Sequence, residues 1–289
     1  MSLQAFLDTA WNEHADDPEG IARRLPDALA LIRRAADIAP YARLTTHVYG
    51  EHLGRWDDGA ALLAKLRGLP AWDGSDDVDT VLVRHTAALA HAKGDAAALD
   101  GLAPAGRVAA LCIAASALAG RQQWDRAGVA FDDALAVGQH ATLDAAATRT
   151  LAVAGNNLAA ALEEKTDRTP GQTAAMLTAA HAGLVYWKLA GGWLEEERAE
   201  YRLARSLIQA GEFDAAIEHA RRCIAVCETH DAPPFERFFA HAALALAARG
   251  AGRHADSDAA RERAHAQLQQ VPEAERRWCA GDLAAIDAA

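Results

Sequence analysis

Between Ala199 and Cys227 the chain reads AEYRLARSLIQAGEFDAAIEHARRCIAVC, and this stretch limits the fold more than any other. Leu203, Ala204 and Leu207 share one face of a helix that stops at Gly211. A second helix begins after Phe213 and carries Ala216, Ala220 and Cys223 on one side. The spacing predicts a helix hairpin with small residues at its seam, where two helices can approach closely. The chain as a whole is 51% hydrophobic but only 6% aromatic, with alanine-rich runs such as 108–119, and alanine has the best helix propensity. Runs of alternating β-branched residues are missing, so an all-α protein is expected.

The pattern recurs. Gly54-Arg55-Trp56 reads as a turn followed by Gly59, Leu63 and Leu66 at packing offsets. Residues 107–119 and 124–137 pair through Ala115, a turn at Trp124, then Ala127, Phe131 and Ala134; residues 235–248 pair with 254–267 through Gly252 and Ala264. A small residue in the first helix, Gly and an aromatic at the turn, and small residues at fixed offsets in the second resemble a tetratricopeptide (TPR) repeat. Gly155-Asn156-Asn157-Leu158-Ala159 is similar to the first helix of kinesin-light-chain-type TPR repeats. The resemblance implies a right-handed α-solenoid, a TPR-like superhelix of stacked antiparallel helix pairs, running through 1–289 as one domain.

Roughly fourteen or fifteen helices are expected. The helix after Pro26 is read as reaching about Ile38, where Pro40 would end it. Pro70, Gly74 and the acids of 69–79 mark the clearest loop, a candidate hinge. A final helix over 272–287 is expected to cap the last apolar seam.

The chain carries 29 Lys+Arg against 40 Asp+Glu, a formal net charge of −11, which opposes a phosphate backbone and an anionic lipid surface alike. Neither nucleic acid nor a membrane is expected as a partner. Four cysteines are too few for a disulfide scaffold in a chain of this size. The opening MSLQAFLDTAW lacks the pattern of a secretory signal, and the apolar run 108–119 is short for a bilayer. A cytoplasmic, bacterial-type protein is expected.

By the resemblance, the first helices of successive pairs line a concave side that takes extended peptides. Asn157 falls where the family holds a peptide's backbone or terminal carboxylate, and Arg198 and Arg202 fall where its carboxylate clamp carries basic residues. Asn156 adjoins the first, and Tyr201 and Arg205 lie near the second, so the expected peptide-binding set is Asn156, Asn157, Arg198, Tyr201, Arg202 and Arg205. In the preceding pair the clamp's lysine and asparagine places are taken by Cys112 and Ser116. Guanidinium groups grip a carboxylate through parallel charge-assisted hydrogen bonds. Two asparagines inside a helix each cost roughly several tenths of a kcal/mol, which a ligand would offset. The competing reading is that Glu195, Glu196, Glu197 and Glu200 pair with these arginines along a solvated helix.

His219, Cys223, Cys227 and His230 share a helical face at spacings of four, four and three, but no HExxH or CxxC accompanies them and Cys223 takes a packing position. His85 and His91 fall on different faces and read as solvated surface residues. No catalytic residue, metal ligand or cofactor is therefore expected. The function expected is a non-enzymatic scaffold that binds a protein or peptide segment in its concave groove. The alternative is a regulatory or assembly module, acting through self-association as a homo-oligomer or through a small ligand, its groove filled by its own chain. A third reading is an all-α hydrolase using His85 or the His219/Cys223 face.

Overall fold

Prolines open several helices of this chain. Pro18, Pro104, Pro170 and Pro234 each stand in a first turn, where the absent N–H removes no helical hydrogen bond. Side-chain caps reinforce these starts: Asp17 accepts the N–H of Gly20, and Thr169 forms a reciprocal capping box with Gln172. At the other end, Gly211 closes its helix in the left-handed region at φ 79°, which a side chain would resist.

A computed structural model describes residues 1–288 and gives fourteen α-helices and no strand among them. They are α1 (Leu3–Glu13), α2 (Pro18–Ala28), α3 (Ile38–Thr46), α4 (Trp56–Ala64), α5 (Asp76–Lys93), α6 (Pro104–Gly120) and α7 (Trp124–His140). There follow α8 (Ala145–Glu164), α9 (Pro170–Ala190), α10 (Trp193–Ala210), α11 (Phe213–Thr229), α12 (Pro234–Gly250), α13 (His254–Leu268) and α14 (Glu273–Asp287). Helices adjacent in sequence pack on one another in pairs. No described helix is long and apolar enough to cross a membrane. Contacts divide the chain into two units, Met1–Ala154 and Gly155 onward, the division falling within α8.

In the first unit Phe6, Ile21, Leu25, Ile38, Tyr41, Leu44, Leu63 and Leu66 form one buried cluster. The two tyrosines that enter it satisfy their hydroxyls on backbone carbonyls, Tyr41 on Leu25 (2.7 Å) and Tyr49 on Ala22 (3.0 Å). Alanine-rich α6 packs between α5 and α7, its small side chains almost wholly buried. The candidate hinge at 69–79 lies inside this unit, bridged by Arg67 and Asp79 at 2.8 Å.

The sequence reading departs from the structure around residues 29–52. α2 stops at Ala28, short 3₁₀ turns cover Leu29–Leu31 and Ala35–Asp37, and α3 begins at Ile38. Pro40 thus starts a helix and does not end one, because a proline is tolerated equally well in a first turn. After Thr46 the chain widens into a π-helical turn, His47–His52, marked by the Leu53 N–H bonding the Val48 carbonyl at 3.1 Å.

In the second unit the hairpin of α10 and α11 buries Leu203, Ala204 and Leu207 on one side and Ala216, Ala220 and Cys223 on the other. Gly250 of α12 lets Phe213 lie against the backbone, since a Cβ there would stand 2.2 Å from the ring. Phe238, Ala242, Ala260 and Ala264 make a further cluster, and α14 adds Cys279 and Ile286 to it.

Candidate interaction face

α10 carries the sequence WLEEERAEYRLARSLIQA, in which both acids and bases recur at helical spacing. Contacts with α9, α11 and α12 leave few of its side chains free, so Glu197, Glu200 and Ser206 are buried together with the apolar stripe. A buried charge is costly unless paired; Glu200 meets that condition across helices through Lys188 and His219, whereas Glu197 meets the Cys223 and Cys227 thiols instead.

The partners of the arginines come from other elements. Arg198 grips Glu236 of α12 with two nitrogens, at 2.5 and 3.3 Å. Arg202 reaches Glu163 of α8 at 2.6 Å, and the second oxygen of that carboxylate accepts the Ser206 hydroxyl at 2.6 Å. Arg205 and the Tyr201 hydroxyl both donate to one oxygen of Asp282 in α14, at 2.6 and 2.9 Å. Asn156 and Asn157 bond each other at 3.3 Å. The six residues singled out in the sequence therefore do not converge on one point. Tyr201 and Arg205 share a carboxylate, Arg202 and Arg198 each hold their own, and the asparagine pair stands on α8.

The hydrogen-bonded partners of these arginines stand on other helices, and within α10 Glu195 and Glu197 add a coulombic attraction on Arg198. Glu196 and Glu200 meet Lys188 of α9 at 3.4 and 2.9 Å, and Glu195 accepts the N–H of Gly192 at the helix start. Glu200 also takes His219 at 2.6 Å; burial pushes its carboxyl up, but the hydrogen bonds from His219 and Lys188 hold it below the ordinary value. Burial raises Glu163 despite Arg202 and Ser206. Glu197 is pushed up to about 7 by burial, with the neighbouring Glu236 adding to the shift and a hydrogen bond from the Cys223 thiol opposing it.

The other candidates of the sequence are dispersed. His230 stacks on Trp193 with centroids 5.2 Å apart, His219 is held by Glu200, and Cys223 and Cys227 face Glu197. His85, read from the sequence as a solvated residue, is in fact buried: its Nδ1 lies 3.0 Å from the Thr46 hydroxyl, and burial lowers it to about 3. α5 turns this histidine inward together with Leu82 and Leu89. Cys112 is buried, its thiol pushed up to about 12, and Ser116 donates to Glu51.

Sequence reasoning named the cations and missed the anions. Glu163, Glu236 and Asp282 lie 39, 38 and 77 positions from the arginines they hold, too far for any helical periodicity to link them. Comparison of the chain with protein-family models and with curated proteins gives no match.

Proposed function

We propose that the chain is a non-enzymatic, TPR-like α-solenoid module that binds an acidic peptide segment on the face of α10, in a cytoplasmic setting. The observation that carries this reading is the occupancy of Tyr201 and Arg205 by Asp282, a carboxylate delivered by the last helix. A face that already coordinates carboxylates with guanidinium and phenol donors has the chemistry to accept a partner's carboxylate in the same geometry. Asp282 then acts as an intrachain competitor, and a partner gains access when α14 yields. Arg198, more than half exposed, and the asparagine pair Asn156 and Asn157 would extend the contact along the peptide. Four buried free thiols suit a reducing compartment.

The same observation supports a second reading, regulation through self-association. An α14 that seats in its own chain can seat in another copy, which is the route of domain exchange to a homodimer. Light scattering separates the two, since exchange gives a concentration-dependent dimer and peptide capture leaves a monomer.

The proposal is tested by affinity capture from a lysate with wild type, Asp282→Asn and Arg202→Ala/Arg205→Ala. Asp282→Asn is expected to retain more of a common partner, and the double variant to lose it. Identical partner lists for all three sink the assignment of this face.

A further inference from the structure

We propose that His14, His47 and His52 form a binding site for one divalent first-row transition-metal ion of the zinc class, with a coordination position left open. It rests on the first unit alone and is independent of the α10 face. One ring nitrogen from each of the three lies within 4.8 Å of the others. The ring centroids stand 4.8 Å (His14 and His47), 5.0 Å (His14 and His52) and 4.8 Å (His47 and His52) apart, and all three side chains are half-buried.

The backbone explains how residues so placed meet. His47 and His52 are five positions apart, which on an α-helix would leave them about 140° apart around the axis. The π-helical turn between them widens the coil and brings their Nε2 atoms to 3.1 Å. His14 arrives from a different element, as the C-cap of α1. Gly120 of α6 permits the close packing behind the turn, because a Cβ there would stand 2.8 Å from the Glu51 carbonyl oxygen.

Hydrogen bonds fix which nitrogen two of the rings present. His14 Nδ1 lies 2.8 Å from the Trp11 carbonyl, and His47 Nδ1 lies 2.9 Å from Glu51 Oε2. A carbonyl and a carboxylate accept only, so each Nδ1 carries the proton and each Nε2 offers its lone pair. Glu51 is itself steadied by the Ser116 hydroxyl at 2.8 Å. This is the supporting shell that metal-binding imidazoles possess: a carbonyl or carboxylate on the far nitrogen, and a second donor behind the carboxylate. Without a cation, His52 must donate its Nε2 proton to His47; with one, that proton moves to its Nδ1 and the third lone pair turns inward.

The distances suit such an ion. Two nitrogens bound at about 2.0–2.1 Å in a tetrahedral arrangement are about 3.3 Å apart. His47 and His52 already meet that spacing, and the widest pair closes by about 1.5 Å, within reach of a side-chain adjustment at a helix end. Three neutral imidazoles and no ligating oxygen select zinc, cobalt, nickel or copper over calcium and magnesium. Arg121 is turned onto the His52 carbonyl, and Arg43 lies over the Trp11 ring.

The test is calorimetric titration of the tag-free, chelator-stripped chain with zinc chloride. Wild type is expected to take up one ion per chain. His14→Ala, His47→Ala and His52→Ala should each weaken binding by at least roughly tenfold, Glu51→Gln by roughly 10–100-fold, and the exposed His254→Ala not at all. X-ray absorption of the zinc-loaded wild type gives a readout that needs no variant: three imidazoles in the first shell support the site. No stoichiometric uptake, histidine variants that bind as wild type does, or two or fewer imidazoles would overturn it.

Discussion

Replacing Asp282 by alanine removes the one acceptor shared by Arg205 and Tyr201. The Asp282 and Arg205 side chains are 14% and 21% exposed, between a surface pair worth about 0–1 kcal/mol and a buried one whose disruption costs about 3–5 kcal/mol. A loss of about 2–3 kcal/mol is therefore expected. It should appear first in α14, whose other ties include Cys279 and Ile286 in the core and the Arg249 side chain on the Ala285 and Ala288 carbonyls. Hydrogen exchange read by mass spectrometry over 273–287 should quicken by roughly 30–150-fold, since each 1.4 kcal/mol is tenfold in an opening equilibrium. α11, which packs on α10 and α12, should change far less. The double variant Arg205→Met/Asp282→Leu removes the unpaired charge and should recover part of the protection, the Tyr201 hydroxyl still lacking its acceptor. Exchange in α14 altered by under threefold, or a double variant worse than the single, would mean that the Arg205–Asp282 pair does not hold α14.

Three further outcomes follow from the packing and the buried acids. Phe238→Ala, at a wholly buried position, should lower the unfolding free energy by about 3–5 kcal/mol in urea titration. Gly250→Ala forces a methyl against the Phe213 ring and should cost about 1–3 kcal/mol, whereas Gly250→Ala combined with Phe213→Leu should cost less. Glu197 has a folded value raised to about 7 from 4.5, so the folded state binds the extra proton and the contribution of this group to stability falls as pH rises through that window. Glu197→Gln mimics the protonated form, and its melting temperature relative to wild type should climb between pH 5 and pH 8; a difference independent of pH would contradict the burial of that carboxyl.

Helix pairing was legible where local chemistry and packing agree. Gly211 at positive φ, Phe213 at the turn, and Ala204 and Ala220 at the seam occupy the roles their spacing assigns them. Around residues 29–52 this agreement breaks down. Pro40 is compatible with a helix start as well as an end, and a π turn has no residue signature that separates it from α-helix. The site was half legible for a related reason. Arginines on one helix face are visible as a periodic set, while Asp282 becomes their partner only through the packing of α14 on α12. The histidines of α1 and the π turn share that limitation: 33 positions and a change of helix type separate His14 from His47.

Whether α10 receives carboxylates while Asp282 holds the seat is decided by calorimetric titration of a synthetic peptide of residues 273–287 into the full chain. The peptide should bind Asp282→Asn at least tenfold more tightly than wild type, whose own helix competes at high effective concentration. Adding Arg205→Met to the Asp282→Asn chain should abolish the gain. Equal affinity for wild type and Asp282→Asn, or binding indifferent to Arg205→Met, would mean that Asp282 holds no such seat.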